Sequence, residues 1–195
     1  MTVNSIKRYF IAVIPPEPIL SEVKAIKEDI ALRFGSSKAL QSPAHITLVV
    51  PFEKDVEEEE LAVKLRAFSS QEMPFHLSLN GYACFPNRRF PVLYIKPEKN
   101  ESLRLMQAAI EDSLFTDGII TSKMPLDFTP HLTIGYRDLT PSNFKKAWPE
   151  LEHKEYKRDF EVRSLFLLKW NFYFNRWDII QEHKFGAEQL ALLPV

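Results

Sequence analysis

Two short segments of this chain carry the same pairing of side chains. Ser42-Pro43-Ala44-His45-Ile46-Thr47-Leu48 in the first half is answered by Thr129-Pro130-His131-Leu132-Thr133-Ile134 in the second. In an extended strand successive side chains point to opposite faces. His45 and Thr47 therefore share one face, and Ile46 and Leu48 take the other; His131 and Thr133 divide from Leu132 and Ile134 in the same way. If the halves are related by a pseudo-two-fold axis, two imidazoles and two hydroxyls meet across one cleft. Such a set suits in-line attack on a phosphodiester, above all a strained cyclic one. An unperturbed imidazole titrates at about 6.5, so one ring can take a proton from water while the other gives one to the departing oxygen. Each transfer is typically worth roughly 10²–10⁴-fold. The threonine hydroxyls would donate to the non-bridging oxygens as charge builds there. The arrangement requires no metal and no cofactor.

One His-x-Thr alone carries almost no information, because a histidine in a strand is most often structural. Two copies weigh far more, each in a proline-preceded aliphatic strand and each at the same place in a repeated pattern of elements. Tyr9 to Ile14 reads as a buried strand ended by Pro15-Pro16. Ile19, Val23, Ile26 and Ile30 then mark one face of a helix from Pro18 to Phe34, with Gly35 placed to stop it. The strand His45 to Phe52 follows. Asp55 and the acidic run Glu57 to Glu60 suit a helix N-terminus leading into Leu61, Leu65 and Phe68. A third strand spans Phe75 to Phe85.

The second half repeats this order: strand Val92 to Ile95, helix through Leu103, Met106, Ile110 and Leu114, strand His131 to Arg137, and short helix Ser142 to Trp148. Phe160 to Phe174 and Trp177 to Phe185 read as a long hairpin turning near Asn175-Arg176. The expectation is an α+β fold of two pseudo-symmetric β-α-β-α-β halves, with antiparallel sheets around a central cleft. Each motif strand is expected to bury its aliphatic face in its own lobe. No Gly/Ser linker separates the halves. They are expected to form one bilobal unit over residues 1–195, with lobes of roughly 1–88 and 89–195 and terminal strands free to cross over.

Composition narrows the function. With 25 Lys+Arg against 26 Asp+Glu, the net charge of −1 disfavours a dedicated binder of long nucleic acid but leaves room for a local phosphate site. The five glycines fall in neither dinucleotide-binding nor P-loop spacing. The single cysteine, Cys84, can form no internal disulfide, and the Tyr9 to Ile14 run is too short for a signal segment or a membrane span. A cytoplasmic protein with no membrane role is expected.

The paired motifs resemble those of the 2H phosphoesterase superfamily, which includes the 2′-5′ RNA ligase and RNA 2′,3′-cyclic phosphodiesterase proteins. Arg8 to Pro16 is similar to that family's opening strand, Ala44 to Phe52 to its first motif, and Pro130 to Gly135 to its second. The resemblance covers nearly the whole chain. It implies metal-independent chemistry on 2′,3′-cyclic phosphate RNA ends, 2′-5′ linkages (cleaved or reversibly joined) or small cyclic-phosphate nucleotides. Family members often place arginine directly after the position of Gly135; here Tyr136 stands there and Arg137 follows. By strand parity Arg137 shares the face of His131 and Thr133, unless a bulge intervenes.

The expected catalytic set is thus His45, Thr47, His131 and Thr133, with Arg137, Tyr136 and Phe85 on the substrate side, no metal ligand and no obligatory protein partner. His76, His153 and His183 lack a matching threonine and read as surface or packing residues; Cys84 reads as core. Among Phe85, Trp148, Trp170 and Trp177, one is expected to line the cleft and stack on a base. Arg88-Arg89 reads as a solvated turn, with a clamp on an RNA backbone as the alternative. Two other readings stand beside the enzyme: a non-catalytic binder of RNA ends or nucleotides that keeps the pocket, and a metal-dependent hydrolase.

Overall fold

The structure, a computed structural model, describes residues 7–53, 58–124 and 128–186. The first six residues, and Asp55 and Glu57 of the acidic run, lie outside the described residues. β1 (Arg8–Val13) is apolar after its first residue and buried from Tyr9 onward. α1 (Ile19–Phe34) buries Ile19, Val23, Lys27, Ile30 and Phe34 and ends at Gly35. The φ of 67° there lets the glycine amide reach the Ala31 carbonyl. A 3₁₀ turn, Lys38–Gln41, leads to β2 (Ile46–Glu53). α2 (Glu58–Ser69), acidic in its first turn, and β3 (Phe75–Phe85) complete the first half.

The second half runs through β4 (Val92–Pro97) and α3 (Glu101–Thr116), whose Asn100 side chain caps the Leu103 amide. It continues through β5 (Leu132–Gly135), α4 (Pro141–Leu151), β6 (Lys157–Val162), β7 (Ser164–Asn171) and β8 (Arg176–Lys184). The strand expected from Phe160 to Phe174 is two strands and a turn. Phe160 and Val162 alternate inward, but Ser164 and Leu165 are both buried in succession, so the alternation breaks at exposed Arg163. There the chain leaves the β3 edge and rises beside β1.

The strands form one curled antiparallel sheet in the order β6-β3-β4-β5-β2-β1-β7-β8. β3 comes from the first half of the chain and sits between β4 and β6; β7 comes from the second and sits beside β1. The helices cross as well: α1 packs on β5 and α3 packs on β2. The aliphatic faces of the motif strands therefore do not lie in separate lobes, as parity alone suggested. Ile46, Leu48, Leu132 and Ile134, all fully buried, belong to one continuous core. Burying each is worth about 1.5–3 kcal/mol, so a one-residue slip that exposed them and buried His45 and Thr47 is heavily penalised. That penalty fixes the face on which the polar residues stand. Among the described residues no helix is long and apolar enough to cross a membrane.

Candidate active site

The two motifs meet at the centre of the sheet. β2 and β5 are joined by a single antiparallel pairing, Ile46 with Leu132. In antiparallel register the residues flanking such a pair face each other crosswise, so His45 lies opposite Thr133 and Thr47 opposite His131. All four line one cleft of about 510 Å³. Each imidazole thus has a hydroxyl from the other motif as its cross-strand neighbour.

Both rings are held in the same way. Nδ1 of His45 lies 2.9 Å from the Pro43 carbonyl, and Nδ1 of His131 lies 2.9 Å from the Thr129 carbonyl. A carbonyl oxygen only accepts, so each Nδ1 carries the proton and each neutral ring keeps Nε2 as its basic nitrogen. An aromatic from the neighbouring strand packs against each imidazole: Phe10 of β1 at 4.9 Å from His45, and Tyr94 of β4 at 5.5 Å from His131. Phe85 adds an edge-on contact to His131 at 5.2 Å.

What lies behind the rings differs. Lys27 replaces an apolar residue on the inner stripe of α1 and is 2% exposed. Its Nζ donates to the Ser42 carbonyl at 3.0 Å and to the Pro43 carbonyl at 3.2 Å, the latter being the acceptor for His45. Burial lowers the Lys27 ammonium to about 8. His45 is pushed down to about 4, by desolvation first, then by the Lys27 charge, with the Pro43 hydrogen bond opposing. His131 is also lowered by desolvation, opposed by its bond to Thr129. In this environment the neutral form is favoured at both rings.

Polar contacts, most of them buried or half-buried, tie the two motif segments together. The Asp138 carboxylate, just beyond β5, accepts from the Ser36 hydroxyl at 2.9 Å and from the Ser37 and Lys38 amides at 2.8 and 3.0 Å, in the turn before His45. On α3, Gln107 donates to the Leu48 carbonyl of β2, while Glu111 accepts from the Met124 amide on the approach to His131.

Tyr136 and Arg137 both line the cleft, although β5 ends at Gly135. Arg137 reaches it from a turn with φ of 56°, its guanidinium 5.3 Å from the Tyr136 ring, and not by continuing the strand alternation. Phe85 lines an adjoining cavity of about 400 Å³ together with Thr47, His131 and Phe128. Of the tryptophans, Trp170 and Trp177 line the cleft, whereas Trp148 stacks with Phe144 on α4. Arg88 and Arg89 sit in an exposed loop, where the Asn87 side chain accepts the Arg89 amide. His76 and His153 are exposed and His183 is buried.

Sequence reasoning missed Lys27, Phe10, Tyr94 and the Arg8–Glu53 ion pair that forms part of the cleft wall. Lys27 left a readable sign, since it falls between Val23 and Ile30 on the buried stripe. Among the described residues no group of three or more His, Cys, Asp or Glu is placed to hold a metal ion.

Comparison with known proteins agrees with this architecture. The model of the 2′-5′ RNA ligase superfamily matches residues 15–172. A Geobacillus kaustophilus protein named "Putative phosphoesterase" is 28% identical over 163 residues, covering 83% of this chain and 87% of its own. A Bacillus cereus protein of the same name is 31% identical over 126 residues, covering 64% of this chain and 67% of its own. The crystal structure of TT0787 of Thermus thermophilus superposes with a TM-score of 0.64 at 22% identity, covering 92% of this chain and 99% of that one. Escherichia coli LigT complexed with 3′-AMP gives 0.63 at 18% identity, covering 93% and 99%.

Proposed function

From the premise that this chain belongs to the 2′-5′ RNA ligase superfamily, a family of phosphoesterase kind, we propose that it hydrolyses 2′,3′-cyclic phosphate RNA ends or cleaves 2′-5′ phosphodiester linkages. The chemistry is two-histidine acid–base catalysis by His45 and His131, without metal. The observation that carries this reading is the crosswise pairing around Ile46 and Leu132, which gathers two imidazoles and two hydroxyls in one cleft with Nδ1 of each ring already committed to a carbonyl.

The two rings are not equivalent. Burial lowers both rings, and His45 carries the Lys27 charge against it in addition, so we assign the first proton taken up by the pair to His131. One neutral and one protonated imidazole then flank the phosphorus. The neutral Nε2 accepts a proton from the attacking water, and the protonated Nε2 gives one to the departing ribose oxygen. An anionic phosphate between the rings favours the charged form, offsetting the desolvation that keeps both rings neutral. Thr47 and Thr133 donate to the non-bridging oxygens, and Arg137 and Tyr136 contact the substrate from the rim.

The test is incubation of pure protein with short RNAs ending in 2′,3′-cyclic phosphate, and with 2′-5′-linked dinucleotides, in excess chelator. Conversion to a single 2′- or 3′-phosphate product, abolished by His45→Ala or His131→Ala, is the expected result. Binding without turnover would instead support a non-catalytic end-binder, and loss of turnover in chelator with rescue by zinc or manganese would support a metal-dependent hydrolase.

A further inference from the structure

The cleft wall continues into an aromatic surface that the reaction at the phosphorus does not use. Trp170 and Trp177 are cross-strand partners at the end of the β7–β8 hairpin, 5.2 Å apart, and both line the cleft. Beyond them the turn reads Phe172-Tyr173-Phe174, with side chains 62%, 88% and 59% exposed. Phe172 meets Trp170 edge to face at 6.5 Å, and Tyr173 meets Phe174 edge to face at 4.7 Å. An edge-to-face contact takes up one face of one ring of the pair and leaves the remaining faces free of that contact. The Arg176 guanidinium lies 5.0 Å from the Phe174 ring and is also paired with Asp178.

The turn is built to hold its shape. The Asn171 side chain accepts from the amides of both Tyr173 and Phe174, and Gln41 of the 3₁₀ turn donates to the Asn175 carbonyl. Other large apolar residues on the surface, such as Leu32, Met73 and Leu105, are separate from one another in the chain and lie on different elements. Three successive exposed aromatics on a fixed turn run on from the wall of this cleft of about 510 Å³ and suit an occupant with flat apolar faces. Nucleobases fit that requirement, because every base offers a π face to an aromatic ring or to arginine.

We infer that the hairpin tip is a stacking platform for single-stranded RNA, on which the nucleotides next to the reacting phosphate lie after leaving the cleft past Trp170 and Trp177. The inference rests on the proposed phosphodiesterase reading and narrows its substrate to an oligonucleotide. A terminal phosphate held between the histidines must lead its neighbouring nucleotides out along a wall, and this wall is aromatic. Stacking is sequence-tolerant, so the platform confers preference for length and not for base order.

The test compares kcat/KM for a nucleoside 2′,3′-cyclic phosphate with that for a hexanucleotide ending in the same group. The hexanucleotide is expected to be favoured by roughly five- to a hundredfold for each base stacked. Phe172→Ala/Tyr173→Ala/Phe174→Ala is expected to collapse that ratio through KM, whereas Tyr173→Phe keeps it because the ring face is retained. Turnover of the mononucleotide with no hexanucleotide advantage, or with an advantage untouched by the triple variant, overturns the platform and leaves the proposed reaction standing. If neither substrate is consumed, the reaction reading fails and binding of a hexanucleotide 3′-phosphate decides the platform: affinity lost in the triple variant supports it, and unchanged affinity or no binding overturns it. Aromatic-dependent dimerisation, or sedimentation with phosphatidylcholine–phosphatidylserine vesicles, without an effect on RNA would assign the tip to a second copy or to a lipid surface and likewise overturn it.

Discussion

The two motif strands are copies in geometry and differ in what surrounds them. Each holds its histidine by Nδ1 to a carbonyl two residues upstream and packs it against an aromatic of the next strand. Behind His45, however, a buried lysine clamps the carbonyls of Ser42 and Pro43, while His131 stands immediately before a four-residue strand with Phe85 and Tyr94 around it. The duplicated part fixes direction and tautomer. The divergent part sets how readily each ring takes a proton. A site needing one base and one acid from identical side chains requires both: symmetry to aim them and asymmetry to keep their protonation apart.

The strongest way to break this comparison is to remove the rings. His45→Ala and His131→Ala are each expected to lower kcat/KM by roughly 10²–10⁴-fold, the usual share of one acid–base group. Combined, they should fall far short of the product of the two losses, because groups acting as one unit are not additive. Both side chains face the cleft, so thermal midpoints should stay close to that of the native protein. Equal turnover in a folded single variant would end the two-histidine reading.

Next in size are the hydroxyls. Thr47→Val and Thr133→Val each delete one donor to the phosphate oxygens and leave the proton path intact. Each is expected to cost about tenfold in kcat/KM. Because the strands pair crosswise, Thr133→Val should disturb the His45 ring and Thr47→Val the His131 ring, which histidine ring chemical shifts can read directly. A disturbance confined to the histidine of the same motif would contradict the crosswise pairing.

Lys27→Met sharpens the comparison most directly. Burial, the larger cause, remains in this variant, but removing the positive charge behind the ring should let His45 rise part of the way from about 4. A base must be neutral to act, so the acid limb of the kcat/KM profile should move to higher pH while the plateau changes little. Titration of the His45 ring by NMR should show the same upward movement, with His131 nearly unmoved. An unchanged acid limb would remove Lys27 from the account of the asymmetry.

The paired motifs, their strands and the α+β class were legible because each rests on local rules. Strand alternation, proline punctuation and the Gly35 stop act within a few residues. Sheet order was not legible. That β3 inserts between β4 and β6, and that α1 covers β5, depends on which distant apolar faces complement each other, and periodicity carries no such information. The break at Arg163 was visible only as a lapse in alternation within an otherwise apolar run. In the site, the residues of the motifs were readable by type and spacing, whereas Lys27 comes near His45 only by the tertiary placement of α1 against the Pro43 segment. Arg137 reached the cleft by a positive-φ turn, which strand parity does not describe.

The smallest expected effect comes from a third histidine that serves as a control for the first two. His183 on β8 is 5% exposed, its Nε2 lies 3.1 Å from the Gln181 side-chain oxygen, and it too is pushed down to about 4. Desolvation is the main cause, followed by the Arg66 charge, with Glu182 opposing. A histidine kept neutral in the fold but titrating at about 6.5 when unfolded contributes stability that is complete above the unfolded value. That contribution is lost as pH falls from there toward 4. The native protein should therefore lose thermal stability over this window, His183→Gln should flatten the slope by an amount on the order of a few degrees, and kcat/KM should be unaffected. His45→Gln should flatten the same slope but abolish turnover. The two variants together separate a depressed histidine that only packs from one that is also aimed at a substrate. If His183→Gln altered the pH profile of kcat/KM as His45 variants do, burial alone would account for the behaviour of both, and the special environment behind His45 would lose its meaning.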